Sequence, residues 1–146
     1  MGLYDISGTG TQVRIVASKT LPIGANISHF AGDGSVFEST GDAIAEMSVG
    51  LNGDGISYDK PTMTKVKLIV IPNSPSDLTL QTILKMNTTT SSRASIGDVI
   101  TIVKTDRSGT KVYAEGKMLN GPRDNGTDGK GKKSNSTYEF AFTSVY

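Results

Sequence analysis

Residues 42–87 read DAIAEMSVGLNGDGISYDKPTMTKVKLIVIPNSPSDLTLQTILKMN. Within this stretch the apolar residues change their spacing from a period of two to a helical period. Over residues 41–51, Ala43, Ala45, Met47, Val49 and Leu51 fall on one side, and Asp42, Ile44, Glu46 and Ser48 fall on the other. Such alternation predicts a half-buried strand whose first set faces a core. Asn52-Gly53-Asp54-Gly55 follows, the turn chemistry of a hairpin, and the return strand over residues 56–60 stops at Pro61. Residues 64–71, TKVKLIVI, alternate again. Over residues 73–87, Leu80, Ile83, Leu84 and Asn87 recur at helical spacing, and the helix is placed at about residues 75–87. Ser74 suits the N-cap, Pro75 the first helical position, and Asp77 the acid of a capping box.

Working outward, strands are predicted over residues 12–20 and 25–30, the second ending at the turn Ala31-Gly32-Asp33-Gly34. The polar tract 88–92 is a linker. Residues 98–105 and 110–119 flank Asp106-Arg107-Ser108-Gly109, a second hairpin. Residues 120–136 hold hardly an apolar atom and read as a loop. The last run, 137–146, puts Tyr138, Phe140, Phe142 and Tyr146 on one face of a terminal strand. The sum is a mainly β protein: a small antiparallel β-barrel or sandwich with two β-hairpins and one flanking α-helix, in one domain over residues 1–146.

Composition narrows the function. Aromatics make up only 6% of the chain, tryptophan is absent, and 17 glycines punctuate it, as suits short strands and tight turns. There is no cysteine, which excludes disulfides and thiolate metal sites. The opening MGLYDISGTG has neither the basic start nor the apolar run of a secretory signal, so no membrane partner is expected. The sequons at Asn26, Asn87, Asn125 and Asn135 are then without consequence. A net charge of +1 argues against a dedicated nucleic-acid binder. The charge is nevertheless uneven. Residues 28–59 hold six acids (Asp33, Glu38, Asp42, Glu46, Asp54, Asp59) and no lysine or arginine, whereas residues 60–133 hold 13 basic against 6 acidic residues. Two surfaces facing different partners would produce this.

Catalytic chemistry is sparse. His29 is the one histidine, so a histidine metal site or a Ser-His-Asp triad is hard to build, and it reads as a turn or interface residue. Asp42 and Glu46 share a strand face, which suits either a general acid and base pair or, with more weight, a polar row along a wet wall. Gly8-Thr9-Gly10 and Gly32-Asp33-Gly34 complete no nucleotide-binding fingerprint. The stretch 124–135 places Asp124, Asp128 and Gly129 at steps of a calcium loop, but Gly126 supplies no side-chain ligand and position twelve is Asn135 instead of a bidentate Glu. No cofactor is expected. Lys130, Lys132 and Lys133 lie in the glycine-rich loop and read as solvated or as a contact to phosphate or an acidic neighbour.

The order of segments over residues 42–87, followed by the hairpin at residues 100–118 and a short terminal strand, resembles the tail tube proteins of contractile-tailed phages. That fold is shared with the inner tubes of contractile bacteriocins and type VI secretion systems. The resemblance implies a homohexameric ring, rings stacked into a hollow tube in the virion after assembly in the host bacterial cytoplasm, and conduction of DNA during ejection. It implies as partners a tail sheath protein, and a tape measure protein and DNA in the lumen. Glu38, Asp42, Ile44, Glu46 and Ser48 would then face the lumen, with Ala43, Ala45, Met47, Val49 and Leu51 packed behind them. Asn52, Asp54, Arg123, Lys130, Lys132 and Lys133 would lie in loops that stack rings or touch the sheath. The alternatives are a bacteriocin or secretion-system inner tube, a β-sandwich carbohydrate-binding or adhesin module, and a small hydrolase using Asp42 and Glu46.

Overall fold

A computed structural model describes residues 3, 11–30, 37–127 and 129–146. The turn expected at residues 31–34 and nearly all of the first ten residues lie outside that set. Ten strands and helices follow one another: β1 Gln12–Ala17, β2 Leu21–Ile27, β3 Phe37–Ser39, β4 Ala45–Val49, β5 Gly55–Asp59, β6 Thr64–Val70, α1 Pro75–Asn87, β7 Ile100–Asp106, β8 Gly109–Asn120 and β9 Ser136–Val145. Seven strands form one antiparallel half-barrel sheet in the order β2-β1-β7-β8-β9-β6-β3. The remaining two, β4 and β5, make a separate two-stranded sheet.

Alternation places the core. Val13, Ile15 and Ala17 of β1, Val66, Leu68 and Val70 of β6, Ile100 and Ile102 of β7, and Tyr138, Phe140 and Phe142 of β9 all point to one face and are buried. Helix α1 closes that face with Leu80 and Ile83. Burial of each such side chain contributes on the order of 1.5–3 kcal/mol, so the three β9 aromatics are the main anchors. Tyr146, expected on the same face, is 70% exposed. Its backbone pairs with Val112, beyond the last buried position of the strand, and the core has ended there.

The helix matches its expected bounds, and Ser74 accepts the Asp77 N–H at 3.2 Å as N-cap. Asp77 corrects the capping-box expectation, because its carboxylate takes the N–H of Asn73, one residue before the cap, at 2.9 Å. Asn73 needs this help: its φ of 64° is left-handed. Strand β2 begins at Leu21, earlier than alternation suggested, and includes Pro22. As an outer strand of the sheet it tolerates a residue without an N–H. The expected strand over residues 12–20 stops at Ala17, since the N–H groups of Lys19 and Thr20 turn to the Asp98 carboxylate at 2.7 and 2.9 Å.

Curvature has a local cause in β8. Ile102 pairs with Tyr113 and Ile100 with Gly116, so β8 carries one extra residue against β7. Glu115 absorbs it with a φ of 55°. Such a bulge bends and twists the strand, and it leaves Tyr113 and Gly116 both buried. A Cβ on Gly116 would lie 2.2 Å from Phe142 Cδ1, so only glycine fits under that ring.

Candidate assembly surface

The β4–β5 hairpin stands away from this body. Every residue of both strands is exposed. The turn is as its sequence demands: Gly50 N–H donates to the Asp54 carbonyl at 2.8 Å, and Gly53 has a φ of 84°. Two backbone bonds hold the base, Lys60 N–H to the Ile44 carbonyl at 2.9 Å and Thr40 N–H to the Lys65 carbonyl at 3.1 Å.

Cross-strand register sorts the side chains. Glu46 opposes Tyr58 and Ser48 opposes Ile56, so one face carries Glu46, Ser48, Ile56 and Tyr58. Ala45, Met47 and Val49 occupy the other, opposite Asp59, Ser57 and Gly55. Met47 is 78% exposed and Val49 76%, and Leu51 at the tip is fully exposed. The expectation that Ala43, Ala45, Met47, Val49 and Leu51 pack on the chain's own core is therefore corrected. The chain leaves the main sheet after β3, and none of its described elements covers either face of the ribbon.

The other anticipated residues are distributed as follows. Ile44, Glu46 and Ser48 keep their common side of the strand. The Tyr58 hydroxyl donates to the Glu46 carboxylate, and Lys60 Nζ lies 3.4 Å from it. The bond to Glu46, with a smaller contribution from burial, raises the Tyr58 hydroxyl above its ordinary pKa. Asp42 precedes the strand and accepts from Thr64 Oγ1 at 2.6 Å. Glu38 sits on β3 opposite Lys67, which pairs with Glu139 at 3.3 Å. Asn52 and Asp54 are exposed at the hairpin tip. Lys130, Lys132 and Lys133 are exposed in the arm between β8 and β9, where Thr127 bridges Lys133 and Ser134 N–H donates to the Gly126 carbonyl at 2.7 Å. His29 is held at 3.0 Å from Ser76 Oγ through Nδ1. Among the described residues no three His, Asp or Glu side chains are gathered as metal ligands would be.

Sequence reasoning missed one feature. Arg123 does not stand alone in its loop: with Leu78, Leu84, Lys85 and Arg93 it lines a groove of about 530 Å³ along α1. Arg93 donates to the Lys85 carbonyl at 2.5 Å, which fixes its guanidinium at the groove's end. The signal available was Leu78, an apolar residue off the Leu80–Ile83 stripe and 58% exposed.

Comparison with curated proteins finds no match for the sequence. Among solved structures, the fold is similar to a chain in the cryo-EM structure of the anti-feeding prophage baseplate, six-fold symmetrised, with a TM-score of 0.53 at 13% identity. That alignment covers 100% of this chain and 96% of the other. A family model described as tail fiber protein gp32 matches residues 4–146. With nearly its whole length inside that match, the chain belongs to the tail fiber protein gp32 family and is a structural component of a phage tail.

Proposed function

We propose that the chain is a ring-forming subunit of the central tube of a contractile tail, six copies to a ring, and that its role is structural and not enzymatic. The observation that supports this most directly is the β4–β5 hairpin. Among the described residues, seven of the fifteen large exposed apolar ones fall in residues 44–63, and an apolar ribbon of this kind marks an interaction surface. A two-stranded hairpin is also marginal alone. Neighbouring copies would cover it, and the outer strands β2 and β3 of the sheet leave backbone groups for further pairing. Stacking contacts that do not close build a filament. In this reading Glu38, Asp42, Ile44, Glu46 and Ser48 face the channel, where the acids keep the phosphates of a passing genome from adhering. The Lys130, Lys132 and Lys133 arm meets the next ring or the sheath.

Negative-stain microscopy of the purified protein tests the reading, with six-fold rings and tubes as the expected result. The likeness to a baseplate chain favours a second reading, a single ring on which the tube begins. Tubes that lengthen with concentration support the first reading, and rings that never stack support the second. Monomers or three-fold particles at every concentration overturn both.

A further inference from the structure

Two uncovered features of this chain are complementary to each other. The hairpin tip presents Leu51, fully exposed, and three residues later Asp54, in the part of the chain that holds only acids. The groove along α1 has an apolar side in Leu78 and Leu84 and a cationic rim in Lys85, Arg93 and Arg123. Among the described residues no carboxylate forms an ion pair with any of these three cations. Arg93 is already held in position by the Lys85 carbonyl, so less side-chain freedom is lost when it meets an anion.

We infer that the α1 groove receives the hairpin tip of a second copy of this chain, Leu51 entering between Leu78 and Leu84 while Asp54 meets Lys85, Arg93 and Arg123. This rests on the ring-forming reading and deepens it by assigning the contact. The tip and groove are different surfaces, so the contact is heterologous and propagates from copy to copy. A nucleic acid fits the groove less well, because three cations neutralise few phosphates and leave Leu78 and Leu84 without an apolar partner.

The absence of cysteine makes the test direct. Full-length Asn52→Cys and Thr82→Cys variants are mixed, allowed to assemble, oxidised, and run on a non-reducing gel, with assembly followed by light scattering. A disulfide-linked pair is expected. The pair Asn52→Cys with Ile23→Cys, on outer strand β2, should give none. Adding Asp54→Lys to the first variant should lower the cross-link yield roughly threefold to tenfold, and Lys85→Glu with Arg93→Glu in the second should restore it. Particles that assemble without the Asn52–Thr82 cross-link overturn the docking and leave the ring reading standing. Failure of the unsubstituted protein to assemble at all overturns both.

Discussion

The Tyr138 hydroxyl donates to Asp77 Oδ1 at 2.7 Å, and this one bond ties the start of the last strand to the first turn of α1. Gln81 Nε2 completes the arrangement by donating to the Tyr138 oxygen at 2.8 Å and to the Pro122 carbonyl at 2.6 Å. Tyr138→Phe leaves a buried acceptor short of a donor, and the expected cost is about 1–3 kcal/mol in urea denaturation. A midpoint equal to the parent's would show that the bond contributes nothing.

The same tyrosine gives the protein an alkaline limit. Burial first, and then the bond to Asp77, raise its hydroxyl well above the ordinary value of 10.0. Because the folded state holds the proton more tightly than the unfolded chain, this stabilisation is full below pH 10.0 and is lost as pH rises through the folded value. Stability measured from pH 10 upward should therefore fall in the parent, and Tyr138→Phe should flatten that part of the curve.

At the acid end Asp98 contributes. Burial pushes its carboxyl up, but bonds from the Thr20 side chain, from Asn87, and from the N–H groups of Thr20 and Lys19 outweigh this and hold it below the ordinary 3.8. Its contribution is present above pH 3.8 and is lost as pH falls through the folded value. Asp98→Ala should cost about 2–4 kcal/mol at neutral pH, since four donors lose one acceptor. Calorimetry at pH 7 and pH 3 should show the gap from the parent narrowing in acid.

Gly116→Ala should be among the most damaging small substitutions. Its Cβ would meet both the Phe142 ring and the Ala141 carbonyl at 2.5 Å, and backbone cannot step aside cheaply. An expected loss of about 1–3 kcal/mol contrasts with Gly41→Ala, where nothing lies within 4 Å. Equal melting temperatures for the two variants would contradict the packing described here.

Met47→Glu together with Val49→Glu separates folding from assembly. Both side chains are exposed and touch no core, so monomer stability should stay within about 0.5 kcal/mol of the parent. Sedimentation should show the higher assemblies gone. Assembly at the parent's concentration would remove the hairpin from the interface.

Local chemistry was legible where a segment's own neighbours decide its conformation. Ser74-Pro75 and the Leu80–Ile83 stripe located α1 to the residue, and Asp106-Arg107-Ser108-Gly109 marked its hairpin, with Gly109 at a φ of 135°. Alternation found β4, but alternation reports only that two faces differ and not what covers either. A strand packed on its own core and a ribbon awaiting another molecule have the same period. The Asp98 bridge and the α1 groove were hidden for a different reason. Lys19 and Asp98 are 79 residues apart, and Leu78, Arg93 and Arg123 come together only once the sheet has curved.

If copies assemble through the uncovered ribbon, as proposed above, the ribbon also sets the kinetics of growth. A two-stranded sheet supported only at its base gains its full stability when it docks, so the first subunits to meet must order it with few contacts in return. Each later arrival finds a surface already formed. Growth of this kind is nucleated: purified subunits should show a lag in light scattering that shortens sharply with concentration and disappears when preformed rings are added as seeds. Scattering that rises at once in unseeded solution would contradict it. In an infected cell, such a barrier would hold a pool of subunits in reserve until a tail offers the first ring.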